Sequence, residues 1–113
     1  WYMNPSKIYE LLRDVYDRYR LPIVITENGL ADEKDIHREW WLDETFKALR
    51  RLKREGVDLR GYMHWSLLDN FEWDSGFWPK FGLVKIDSKS KERMVKKSGY
   101  YYRDLVVREM NSV

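Results

Sequence analysis

Glu27 closes the run Ile23-Val24-Ile25-Thr26-Glu27-Asn28-Gly29, in which four uncharged residues suited to a strand lead into a carboxylate and an Asn-Gly pair. Further on, Trp65-Ser66-Leu67-Leu68-Asp69-Asn70-Phe71-Glu72-Trp73 supplies a second carboxylate and two indoles. A carboxylate accepts paired hydrogen bonds from neighbouring hydroxyls, and an indole face stacks on the C–H face of a pyranose ring. If the two runs are adjacent parallel strands, Glu27, Trp65, Glu72 and Trp73 meet at one rim. That rim is the carboxyl end of the strands, where α/β proteins bind their ligands. Taken singly, each residue has a plainer role: Glu27 in a structural ion pair, Asn-Gly as a hairpin turn, Trp65 and Trp73 as packing, Glu72 as a surface acid. On consecutive strand ends they describe a saccharide site.

The flanking residues supply the elements that must hold such a rim. Asn4-Pro5 reads as a helix entrance, and Ile8, Leu11, Leu12, Val15, Tyr16 and Tyr19 then recur at helical spacing. Leu21-Pro22 is expected to stop that helix. The run from Ile23 lacks polar alternation, as a strand buried on both faces does, and Asn28-Gly29 is expected to turn the chain. A second helix is predicted from about His37 to Glu55, with Trp41, Leu42, Phe46, Leu49 and Leu52 on one broad face and Gly56 ending it. Gly61 to Leu68 reads as the second strand, Asp69 to Lys80 as a long aromatic loop. Phe81–Asp87 and Lys91–Val95 read as a hairpin, and Ser98 as the cap of a last helix. Helix, strand, helix, strand is the rhythm of a parallel α/β sheet. Two such strands cannot form a doubly covered sheet by themselves, so the sequence looks like a piece of a larger fold.

Composition removes several classes of function. The 113 residues are 43% hydrophobic and 35% charged, which suits a folded domain, and contain no cysteine, which removes disulfides, thiolate chemistry and cysteine-based zinc sites. Net charge is +2 with both signs spread along the chain, so neither a nucleic-acid nor a membrane surface is indicated. Arg50, Arg51, Lys53 and Arg54 read as a solvated helix face. His37 and His64 lack ligand spacing, so no metal is expected, and no phosphate loop or other cofactor motif is present. No stretch is long and apolar enough to span a membrane and no signal peptide is recognisable, which points to the cytoplasm. The absence of glutamine beside abundant Lys, Arg and Glu leans towards a thermophilic source. Aromatics make up 16% of the chain, several of them beside polar residues at predicted element ends, as in sugar-binding proteins.

Ile25-Thr26-Glu27-Asn28-Gly29, then Trp65 through Trp73, then Phe81-Gly82-Leu83, resemble in order and spacing the C-terminal quarter of a family 1 glycoside hydrolase. These are retaining β-glycosidases with a (β/α)8 barrel, and the likeness covers essentially the whole chain, with the flavour of the archaeal, thermophilic branch. The resemblance implies that residues 1–113 are the C-terminal segment of one barrel domain, strands 7 and 8 with flanking helices, incomplete alone. It makes Glu27 the catalytic nucleophile and Trp65 the platform under the sugar. Glu72 bridges the 4- and 6-hydroxyls, Trp73 donates to a hydroxyl of the same ring, and Phe81 lines the pocket. It also implies a cis peptide bond between Trp65 and Ser66. Members acting on 6-phospho-glycosides carry Ser at the position of Glu72, and Lys and Tyr at those of Pro79 and Phe81. This chain is therefore expected to serve neutral β-glycosides or oligosaccharides, glucosides and galactosides first.

The family's second carboxyl group, the acid/base, lies in an Asn-Glu-Pro motif that does not occur here. The remainder of the barrel is thus the expected partner, and the chain alone is expected to be inactive. The contrasting reading is a non-catalytic sugar-binding or self-associating fragment, in which Trp65 and Trp73 bind without chemistry.

Overall fold

The computed structural model describes residues 2–111. A 3-10 turn, Pro5–Lys7, leads into α1 (Ile8–Tyr19), followed by β1 (Ile23–Asn28), α2 (Arg38–Arg54) and β2 (Leu59–His64). A short hairpin of β3 (Val84–Ile86) and β4 (Arg93–Val95) precedes α3 (Lys97–Met110). β1 and β2 pair in parallel, and β3 and β4 antiparallel.

The helices form as their spacing predicts, but two of their ends are made differently. Helix α1 stops before Leu21-Pro22: Arg20 takes a left-handed conformation at φ 52°, and its N–H bonds the Tyr16 carbonyl. Ser98 does not cap α3 from its end. It lies inside the first turn, and Asp35, distant in sequence, accepts both its backbone N–H at 2.9 Å and its hydroxyl at 2.6 Å. A carboxylate there satisfies an orphan donor and complements the positive end of the helix. Gly56 follows the end of α2 at φ 84°, as expected.

One face of the sheet is covered. Ile25 packs with Leu12, Leu49, Leu52 and Val57 between α1 and α2, while Leu42, Phe46 and Leu105 join α2 to α3. Each such buried side chain contributes about 1.5–3 kcal/mol. The other face is open: Val24 is 48% and Met63 56% exposed. The expectation of a strand buried on both faces is therefore met on one face only, because these residues provide helices for one side. The radius of gyration, 15.2 Å, exceeds the about 13 Å of a compact chain of this length.

The second strand ends earlier than its apolar run. Regular pairing with β1 stops at His64, and Ser66 to Asp69 turns instead to the segment Phe81–Val84. Leu83 N–H donates to Ser66 O and Val84 N–H to Leu67 O, each at 2.9 Å. The hairpin is shorter than its sequence signal, with Asp87 Oδ1 closing its turn through the N–H groups of Lys89 and Ser90.

Candidate active site

The rim is set by the last residues of β1. Ile25 pairs with Tyr62 and Asn28 with His64, so β1 advances three residues while β2 advances two. One extra residue in a strand reverses the inside–outside alternation beyond it. That explains why Glu27 is exposed although it lies two residues after buried Ile25. No period-two reading of the sequence could find this bulge.

Neither Asn28 nor Gly29 takes a positive φ where the chain leaves β1. Gly29 is needed for another reason: a Cβ there would lie 1.7 Å from the Trp65 carbonyl oxygen. Trp65 N–H donates to Asn28 O at 2.9 Å, so the backbones at the ends of β1 and β2 are in direct contact. The Trp65–Ser66 peptide bond is cis, as the resemblance implied.

Trp65 and Glu72 come together directly, the indole N–H donating to Glu72 Oε1 at 3.2 Å. Glu72 is held by a tight turn in which its N–H donates to Gly76 O at 2.7 Å and its carbonyl accepts from Ser75 N–H at 2.9 Å. Trp73 enters that turn at φ 49°, a left-handed position that a bulky residue keeps only when its surroundings enforce it. Its indole is 82% exposed. Phe81, half-buried, lies against the rim, its carbonyl accepting from Ser66 N–H at 3.3 Å. It borders a cavity shared with Gly29, Leu30, Ala31, Trp41 and Trp78.

Two buried clusters hold these loops, and neither was visible as a sequence motif. Asp69 Oδ1 accepts from Gly82 N–H at 2.9 Å and from Lys96 Nζ at 3.0 Å, closing the base of the aromatic loop. Burial holds the Lys96 ammonium below its ordinary pKa, against the pull of Asp69. Arg38 is fully buried and binds the carbonyls of Leu30, Asp32 and Lys80 and the Asp35 carboxylate. It thereby ties the loop after β1 to the residue before Phe81. Burial opposes the charge on Asp35, but the hydrogen bonds from Ser98 and the Arg38 guanidinium outweigh it and hold the carboxyl below its usual range.

The histidines and the basic residues have structural places. His37 begins α2, its N–H donating to Asp32 Oδ2 at 2.7 Å. His64 is half-buried with both ring nitrogens enclosed, and this desolvation pushes its pKa down to about 4, with Arg38 adding to the shift. Arg50 pairs with Glu109 at 2.6 Å, and Arg51 pairs with Glu55 and lies over the Tyr9 ring. Among the described residues no helix is long and apolar enough to cross a membrane.

The pattern that defines glycosyl hydrolase family 1 matches residues 1–111. The chain belongs to this family. It is 42% identical over 105 residues to a β-galactosidase of Sulfolobus acidocaldarius, a match covering 93% of this chain and 21% of that protein. It is 38% identical over 120 residues to β-glucosidase A of Thermotoga maritima, covering 94% and 26%. Among solved structures, the β-glycosidase of the hyperthermophile Thermosphaera aggregans superposes with a TM-score of 0.91 at 38% identity, over 95% of this chain and 22% of that one. The T. maritima β-glucosidase in complex with glucoimidazole superposes at 0.86 with 39% identity, over 94% and 26%. The chain thus spans about a fifth to a quarter of the length of its relatives. The charge-rich, glutamine-free composition agrees with these thermophilic relatives.

Proposed function

We propose that this family 1 segment forms strands 7 and 8 of a (β/α)8 barrel. The enzyme containing it would hydrolyse terminal β-D-glycosidic bonds of neutral glucosides and galactosides with retention. The observation that carries the reading is the Trp65–Glu72 hydrogen bond at 3.2 Å beside the strand end that presents Glu27. It sets an indole face next to a carboxylate edge. A pyranose stacked on Trp65 presents its 4- and 6-hydroxyls to Glu72, whose second oxygen is left to accept from them. Trp73 donates to a hydroxyl of the same ring, and Phe81 closes the apolar side.

Exposed Glu27 serves as nucleophile. Its carboxylate oxygen bonds to the anomeric carbon as the bond to the leaving oxygen breaks, and that oxygen takes a proton from the acid/base carboxyl. Water, deprotonated by the same group, then displaces Glu27 and restores the configuration. The acid/base stands about 5–5.5 Å from the nucleophile in retaining enzymes. No Asn-Glu-Pro occurs in this sequence, so the remaining barrel supplies that group. The 113 residues alone are therefore expected to be inactive.

Glu27→Gln in the enzyme containing this chain removes the nucleophile and almost no volume. Turnover of aryl β-glucoside and β-galactoside should be abolished with the melting temperature unchanged. Near-normal turnover would refute the assignment. The exposed Trp73, Phe71 and Phe77 favour one rival, a binding fragment. A saturable tryptophan-fluorescence response of the chain alone to glucose or cellobiose would support that rival.

A further inference from the structure

Asn28, the residue after Glu27, is where three elements converge. Its side-chain oxygen accepts from the Trp41 indole N–H of α2 at 3.1 Å and from the Tyr62 hydroxyl of β2 at 3.0 Å. Its backbone carbonyl accepts from Trp65 N–H at 2.9 Å and from the same hydroxyl at 3.2 Å. An indole N–H can only donate, so the Asn28 amide must turn its oxygen to Trp41. Tyr62 is packed edge-on against Phe46, ring centroids 4.9 Å apart, and burial keeps its hydroxyl protonated well above the ordinary tyrosine range. The two donors are therefore fixed in place and in protonation state. The strand is bulged immediately before Asn28, where ladder hydrogen bonds do not hold it in regular register.

We propose that Asn28, Trp41 and Tyr62 form a positioning node that fixes the strand end beyond the bulge and sets the attack geometry of Glu27 relative to Trp65. The proposal rests on Glu27 being the attacking carboxylate. None of the three needs to touch the sugar. They hold the backbone on which the nucleophile is carried, and a displacement of about 1 Å at that point costs on the order of 100-fold in rate.

The test uses the enzyme containing this chain with Trp41→Phe, Tyr62→Phe and the double variant, which keep aromatic packing and remove the donors. Glu27→Gln is the control for the underlying reading. With an activated aryl β-glucoside, each single variant should lose about 10-fold in kcat and the double variant about 100-fold, with KM changed less than about 3-fold. Melting curves must show the double variant folded at the assay temperature. A folded double variant with kcat within about 2-fold of the parent overturns the node. So does a loss that appears equally in KM and in melting temperature, which marks packing rather than positioning. Turnover surviving in Glu27→Gln overturns the nucleophile assignment itself, a result separable from both.

Discussion

Acid should destabilise this fold through His64, beginning near pH 6.5. The imidazole is buried at the end of β2, near the Arg38 and Lys96 cations, and its pKa falls from the ordinary 6.5 to about 4 although the Phe81 carbonyl and Asp35 favour the charge. The unfolded chain therefore takes up a proton near pH 6.5 that the folded chain refuses until about pH 4. The stability is fully present above pH 6.5, drains away as pH falls, and levels off below about 4. The gap of about 2.5 pH units converts to ~3 kcal/mol in total, with ~2 kcal/mol already lost at pH 5. Urea unfolding at pH 7.5, 5.0 and 4.2, followed by tryptophan fluorescence, measures this, with His64→Phe as the reference that cancels all other groups. The difference between the proteins should narrow in favour of the variant by those amounts. Parallel stability curves across the window would refute the argument, because they would mean that the imidazole charges in the folded protein as readily as in the unfolded one. Asp35 and Glu55, both held below their ordinary carboxylate pKa, also lose stability towards the acid end of this window, and the His64→Phe reference cancels their contribution.

Gly29→Ala should cost about 3 kcal/mol or more, since the new methyl meets backbone at 1.7 Å. Gly61→Ala, whose methyl meets only the Val24 side chain, at 3.3 Å to Cγ1 and 3.9 Å to Cγ2, should cost less than about 1 kcal/mol, and chemical denaturation compares the two. On substrate choice, Glu72 would repel a 6-phosphate, so the enzyme containing this chain should turn over an aryl β-glucoside faster than its 6-phospho derivative. Glu72→Ser should narrow that gap, and a parent enzyme that prefers the phosphorylated substrate would contradict the role given to Glu72.

Much of this architecture is legible in local pattern. The helical spacing of Ile8 to Tyr19 and of Leu42 to Leu52 places both flanking helices, and the apolar run from Ile23 places β1. The pairing of Trp65 with Glu72 follows from their position just beyond a strand. What the sequence hides is set by long-range contact. The bulge before Asn28 depends on the register of β2, which no window along β1 contains. The capping of α3 by Asp35, the Arg38–Lys80 bond and the Lys96–Asp69 pair each join residues far apart in the chain, so their polar types look like surface charge. Trp41 reads as part of a helix face and Tyr62 as one residue of a strand, and their donors matter only because Asn28 lies between them.

The most direct test of the central claim is covalent trapping. The enzyme containing this chain is incubated with an activated 2-deoxy-2-fluoro-β-glucoside, which slows breakdown of the glycosyl-enzyme, then digested and read by mass spectrometry. A 2-fluoroglucosyl adduct on the peptide carrying Glu27 is the expected result. An adduct on another carboxylate, with Glu27 unmodified in an inactivated enzyme, would contradict it.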